Sequence, residues 1–331
     1  MGSSWVRERG PTPLAPGSLI GMELVLPRSV SIREVGMRDG LQIEAPVPLA
    51  SKLAMIEALV ATGVGRIEAT SFVSPRAVPA LADAEQVAEA LSRWPAIRWS
   101  ALVASPRGAH RAVAAGITDL EYVISAADAH SRANVGRSTA ESIELVEEIV
   151  AIGHAAGGTV EVIIATAWDC PFTGPTPIER SVDVARQAVA RGADVLCLGD
   201  TIGTTTPRRV LDLVDAVRAV APGIDVGVHF HDTRGTGIAN ALAAIQAGVT
   251  SLDASVGGLG GCPFAPGASG NIATEELVYL LDGCGVESGI DLDALLVASA
   301  VTERAVGHQL PSSLYRAGGR PRPLGVDAAV S

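Results

Sequence analysis

An α/β fold, the (β/α)8 TIM barrel with additional C-terminal helices, is the class this sequence predicts, and three observations predict it. Strand-like apolar runs recur eight times, at 31–35, 66–70, 98–103, 120–124, 160–165, 195–198, 226–230 and 251–256. The stretches between them place apolar residues at helical spacing. Hydrophobic residues make up 48% of the chain but aromatics only 3%, so the core is Val, Ile, Leu and Ala, the composition of a parallel sheet covered by helices. A doubly wound open sheet is the alternative arrangement of the same elements.

Each element has its own signal. Residues 1–29 read as a disordered leader, with Gly10, Pro11, Pro13, Pro16 and Gly17 and no continuous apolar segment of a signal peptide, and Met22 is an alternative start. Leu49, Leu53, Ile56, Leu59 and Val60 mark the first helix, and Val210, Leu213, Val214, Val217 and Val220 mark a later one. Ser138 with Glu141, and Thr176 with Glu179, are spaced as capping boxes, and Thr206-Pro207 repeats the proline start of the second. Gly63, Gly116, Gly158, Gly192 and Gly248 mark helix ends, each just before the next strand. After the eighth strand, helices are expected near 274–284 and 291–306, followed by an irregular tail over 308–331. One barrel domain over 30–307 is the resulting organisation.

Charge and cysteines bound the partners. A net charge of −11 and a pI near 5.0 argue against nucleic acid and anionic membrane, which call for a basic field. No run of about 18 apolar residues is free of glycine and charge, so no membrane span is expected. Cysteines at 170, 197, 262 and 284 lack the spacing of a disulfide framework or zinc ribbon, which favours a reducing cytoplasm.

In a barrel, chemistry belongs where strands end and βα loops begin. The first strand runs into Glu34, Arg38 and Asp39, the second into Glu68 and Ser71, and the sixth into Asp200. The seventh ends in His229, His231 and Asp232, and the eighth enters a loop with glycines at 257, 258, 260, 261, 267 and 270, carrying Cys262 and Asn271. His229 and His231 are two apart on a strand, so both side chains share one face with α-carbons roughly 6.5 to 7 Å apart. Two imidazoles, the Asp39 carboxylate and the Asn271 amide oxygen make a mixed nitrogen and oxygen ligand set suited to Mg2+ or Mn2+. Asp232 and Glu34 are alternative ligands, although strand alternation turns Asp232 away from both histidines. Arg38 either pairs with an acid such as Glu68 or stabilises a developing enolate, and a loop thiol such as Cys262 can exchange protons. Cys197 reads as strand packing and Cys284 as a helix end.

These motifs resemble the hydroxymethylglutaryl-CoA lyase family. The resemblance is carried by Glu34-Val35-Gly36, Arg38-Asp39-Gly40-Leu41-Gln42, Thr70-Ser71-Phe72-Val73-Ser74-Pro75, Gly199-Asp200-Thr201-Ile202-Gly203, His229 with His231-Asp232-Thr233, and Gly258-Leu259-Gly260-Gly261-Cys262-Pro263. It implies a metal-dependent barrel enzyme that splits a 3-hydroxy-3-methylglutaryl thioester into acetyl-CoA and acetoacetate. A CoA thioester is the implied partner, with a homodimer possible. By motif, Asp39, His229, His231 and Asn271 are the implied metal ligands, and Arg38, Cys262, Glu68 and Asp200 the implied catalytic groups. Arg38, Gln42, Ser71 and Arg234 are expected at the substrate. A Claisen-type synthase or aldolase on the same barrel is the alternative. Ile43, Arg234 and Trp168 stand where the family's best-known members carry other residues, so the acyl group is open to change, with Arg234 meeting a further carboxylate and Trp168 closing a pocket wall.

Overall fold

A computed structural model describes residues 24–261 and 270–319. Eight parallel strands close into a barrel: β1 (Ser31–Glu34), β2 (Arg66–Ser71), β3 (Arg98–Val103), β4 (Asp119–Ser125), β5 (Val160–Ala165), β6 (Val195–Asp200), β7 (Asp225–Phe230) and β8 (Ser251–Ala254). Each strand pairs with its neighbour in sequence, and β1 closes on β8 with Ser31 opposite Ser251 and Glu34 opposite Ala254. The barrel, rather than the open sheet, is the fold.

Strand burial explains the closure. β5 is buried at every position, so one face must pack inside the barrel and the other beneath helices. The helices follow in turn: α1 (Leu49–Val60), α2 (Ala84–Ala90), α3 (Pro106–Ala114), α4 (Asp128–Val135), α5 (Thr139–Glu144), α6 (Val146–Ala155), α7 (Ile178–Ala190), α8 (Pro207–Val220) and α9 (Gly237–Gln246). On α8, Val210, Leu213, Val214 and Val217 are buried at the expected spacing, whereas Val220 is exposed at the last turn. After β8 come α10 (Thr274–Cys284), α11 (Leu292–Val306) and a five-residue α12 (Ser313–Ala317), so the tail is not irregular throughout. α11 packs on α1, and Asp291 donates its amide to the Thr62 carbonyl at 2.8 Å.

Local signals held in part. Ser138 and Glu141 form the reciprocal capping box at the start of α5. The second box does not form: Pro177 is extended (φ −56°, ψ 135°) and takes the N-cap position, which leaves Thr176 one residue too early to reach the helix amides. Gly63, Gly116, Gly192 and Gly248 adopt left-handed backbone, but at the end of α6 Gly157 does so, not Gly158. Gly158 is required for another reason, because a Cβ there would lie 2.0 Å from the Thr118 carbonyl oxygen. Cys197 is buried in β6 and Cys284 ends α10, as expected. A short antiparallel pair, Asp169–Cys170 with Gly174–Pro175, decorates the loop after β5. Among the described residues no helix is long and apolar enough to cross a membrane.

Candidate active site

The chain leaves β1 through a tight turn, Gly36–Gly40, whose amides from Arg38, Asp39 and Gly40 converge on the Val35 carbonyl. This turn tips Arg38 and Asp39 into the barrel mouth, where both are buried. Across the closure, β7 delivers His229 and, one step past its end, His231, with ring centroids 5.1 Å apart. Asp39 Oδ2 lies 3.9 Å from His229 Nε2 and 3.6 Å from His231 Nε2. One ligand atom from each of the three residues falls within 4.8 Å of the others.

Beneath them, His229 Nδ1 is 3.0 Å from Asp253 Oδ2, and Asp253 is gripped in turn by Arg33 Nε at 2.9 Å and Nη2 at 2.8 Å. With its Nδ1 proton given to Asp253, His229 turns a lone pair on Nε2 toward the Asp39 carboxylate. Two acceptors facing one another leave room for a positive centre between them. Asn271 bridges to His231 by backbone pairing, and its Nδ2 donates to Asp39 Oδ2 at 2.9 Å and to the Leu259 carbonyl at 3.0 Å. Its amide nitrogen, rather than the expected oxygen, thus faces Asp39, because a carboxylate attracts the donor end. Asn271 Oδ1 and His231 Nδ1 are buried without hydrogen-bond partners among the described residues. Turning the amide over would present Oδ1 to a cation beside Asp39. Imidazole, carboxylate and amide donors so arranged fit a divalent metal cation.

Electrostatics keep the Asp39 carboxylate ionised. Burial alone would raise the Asp39 pKa, but the adjacent Arg38 guanidinium and the two imidazoles hold it well below the usual carboxylate range. Arg38 ion-pairs with Asp39 through Nη1 and with Glu68 through Nε at 2.6 Å, so the alternative of an Arg38–Glu68 pair is realised together with a place in the mouth. Burial and the neighbouring Glu121 carboxyl push Glu68 well up, against the pull of Arg38.

A cavity of about 1190 Å3 opens above the triad, and Arg38, Asp39, Gln42, Ser71, His229 and His231 all line it. Other expected residues do not. Glu68 is sealed beneath Arg38, and Asp200 is sealed by the Thr204 and Thr205 amides at 3.1 and 3.0 Å, with burial raising its pKa. Arg234 donates to the Ile202 and Gly203 carbonyls at 2.8 and 3.1 Å and does not line the cavity. Trp168 is not among the residues lining this cavity: it is buried against Phe230 at 5.8 Å and donates to the Arg209 carbonyl. Ile43 does stand at the mouth, 46% exposed. Asp232 caps the Gly237 amide at 2.7 Å, and Glu34 accepts from Gly36, Val256 and Thr274, so neither serves as an alternative ligand. Cys262 lies outside the described residues.

Sequence reasoning missed Asp253 and Arg33. A charge inside a short buried strand was the available signal, since Asp253 interrupts the apolar run of β8.

A closed barrel with two imidazoles and a carboxylate at its mouth is the architecture of a metal-assisted enzyme acting on a ligand in the cavity above. The comparisons with known proteins define the class: the HMGL-like family model matches residues 29–302, and the chain belongs to this family of carbon–carbon lyases. Hydroxymethylglutaryl-CoA lyase YngG of Bacillus subtilis is 41% identical over 288 residues, covering 86% of this chain and 96% of that protein. The (R)-citramalyl-CoA lyase of Chloroflexus aurantiacus is 42% identical over 301 residues, covering 88% and 95%. Among solved structures, an HMG-CoA lyase from A. baumannii in complex with coenzyme A and 3-methylmalate is 38% identical with a TM-score of 0.85, covering 90% of this chain and 98% of that one.

Proposed function

We propose that the protein is a divalent-metal-dependent lyase cleaving 3-hydroxy-3-methylglutaryl-CoA, or a close 3-hydroxy-3-alkylglutaryl-CoA, to acetyl-CoA and a keto acid such as acetoacetate. The observation that carries this reading is the Asp39, His229 and His231 cluster beside Arg38 at the foot of a cavity of about 1190 Å3. Asp39, His229, His231 and Asn271 would hold the cation, which when bound supplies Lewis acidity toward the 3-hydroxyl. The chain's own groups do the rest. Arg38, clamped by Glu68, keeps its guanidinium at a fixed point where it bears the negative charge of the departing thioester enolate. The hydroxyl proton passes to a base at the mouth, for which His231 is the nearest described candidate; the bond between C2 and C3 breaks with its electron pair going to C2, C3 becomes a carbonyl, and C2 takes a proton from an acid. Cys262 is our choice for that acid, with His231 the nearest described alternative. Asp253 orients His229, and the mostly buried surroundings of the triad exclude bulk water.

The lyase of Chloroflexus aurantiacus and Ile43 at the cavity mouth favour a second reading, in which the same bond-breaking groups serve (R)-citramalyl-CoA. Acetyl-CoA release from each thioester with Mn2+ present decides between them. The first reading expects a kcat/KM at least tenfold higher on hydroxymethylglutaryl-CoA; the opposite preference selects the second, and condensation without cleavage selects the synthase alternative. A cytoplasmic location is part of the same proposal. A homodimer is open to test by sedimentation.

A further inference from the structure

Below the mouth, the barrel interior carries charge at positions that branched apolar side chains ordinarily fill. Arg33 of β1, Glu68 of β2, Glu121 of β4, Glu161 of β5 and Asp253 of β8 are all buried. Strand register sets Arg33 opposite Asp253, Asp253 opposite His229, and Glu121 opposite Glu161. Arg33 sits among three of the acids, with Nη1 at 2.7 Å from Glu121, Nη2 at 2.8 Å from Glu161 and Nε at 2.9 Å from Asp253.

The charges do not balance. Asp39 is met by Arg38, Asp253 by Arg33, and Glu161 by Arg33 with the partly exposed Arg66 4.0 Å away. Glu68 and Glu121 are left in hydrogen-bond contact with each other. Each has a guanidinium on its far side, Arg38 Nε at 2.6 Å from Glu68 Oε1 and Arg33 Nη1 at 2.7 Å from Glu121 Oε1. Glu68 Oε2 and Glu121 Oε2 are buried and find no donor among the described residues. Two ionised carboxylates in contact repel strongly in a dry core, and one proton shared between them supplies the missing donor. The raised pKa of Glu68 agrees with that proton. A continuous chain of contacts results: Arg38, Glu68, Glu121, Arg33, Asp253 and His229, which returns to Arg38 through Asp39.

We propose that Glu121 is a positioning residue for the cleavage, bridging the clamp on Arg38 to the clamp on His229. This rests on the lyase reading above and extends it to a residue that lines no part of the upper cavity. Through Glu68 it fixes the guanidinium that bears the enolate charge, and through Arg33 and Asp253 it fixes the imidazole that would hold the cation. Glu121 and Arg33 instead line a separate cavity of about 250 Å3 at the opposite end of the strands, so the bridge spans the barrel from floor to mouth.

Full-length Glu121→Gln, Glu121→Leu and Glu121→Asp, with Glu161→Gln as the control on the same arginine, test the bridge. Two quantities are read: kcat and KM on hydroxymethylglutaryl-CoA at saturating Mn2+, and Mn2+ affinity without substrate. Leu removes the hydrogen bonds and Asp is one methylene too short to span both partners, so each is expected to lower kcat and weaken Mn2+ about tenfold or more, with KM nearly unchanged. Gln offers an amide donor to Glu68 and an oxygen to Arg33, and is expected to recover both quantities to within about threefold of wild type, as is Glu161→Gln. Wild-type kcat and Mn2+ affinity in the Asp variant, a Gln variant as impaired as Asp, or an equal loss in Glu161→Gln would overturn the bridge. Should Leu fail to fold, Asp and Gln decide. Should wild type cleave neither thioester, the lyase reading falls, and the Mn2+ affinities of the same variants still decide whether Glu121 positions His229.

Discussion

Asp39 Oδ2 is the atom on which the site turns, because three groups from two other parts of the chain converge on it: His229 and His231 from the end of β7, and Asn271. Asp253 acts one bond further out, by fixing which nitrogen of His229 carries the proton. Asp253→Asn is therefore expected to weaken Mn2+ binding by about 10- to 100-fold, read by the paramagnetic signal of free Mn2+. A dissociation constant within threefold of wild type would contradict that role. The histidines were legible in the sequence because period-two spacing at a strand end fixes their face, and Asp39 and Arg38 because they follow directly on the end of the first barrel strand. Asp253 and Arg33 were not. A lone charge in a strand reads as solvent-facing until barrel closure supplies Glu121, Glu161 and Asp253 as partners for a buried Arg33. Nor could Arg234 or Trp168 be placed, since their roles depend on carbonyls and rings brought in by other loops.

At the scale of elements, two caps with similar spelling behave differently. Ser138→Ala removes an acceptor for the Glu141 amide and is expected to cost about 1 kcal/mol. Thr176→Ala removes a hydroxyl with no hydrogen-bond partner among the described residues and is expected to cost less than about 0.5 kcal/mol, because no cap is lost. Urea melts of both variants check this, and equal losses would show that the second box forms after all. The connection from β8 to α10 is fastened by two buried carboxyl groups. Glu34 accepts from the Val256 amide and the Thr274 hydroxyl, and Glu275 from the Gly257 amide and Ser299. Burial raises Glu34 to about 7 and Glu275 to about 8, only partly offset by those donors. Both pKa values exceed the unfolded carboxyl value near 4.5, so the folded state binds more protons. Their stabilisation is complete below about pH 4.5 and is lost as pH rises through 7 and 8. The melting temperature is expected to fall between pH 6 and 9, and Glu275→Gln is expected to flatten that fall; an unchanged slope in the variant would contradict the assignment.

For the whole molecule, the βα alternation was readable because strands buried on both faces appear as short apolar runs, and closure follows from their number and order. The extra antiparallel pair after β5 was not readable, since two-residue strands carry no periodicity. The clustering of basic residues along the cavity likewise appears only after folding, when Arg137 is brought beside Arg107 and Arg111 of α3. The proposed cleavage depends on the Asp39, His229 and His231 cluster holding a divalent cation. The most direct test is acetyl-CoA release from hydroxymethylglutaryl-CoA by chelator-stripped protein as Mn2+ is added back, for wild type and His231→Ala. We expect wild-type activity to return with a saturable metal dependence and the variant to stay at least about 10²-fold lower at the same Mn2+. Full activity in stripped wild type, or a variant restored to the wild-type rate, would contradict it.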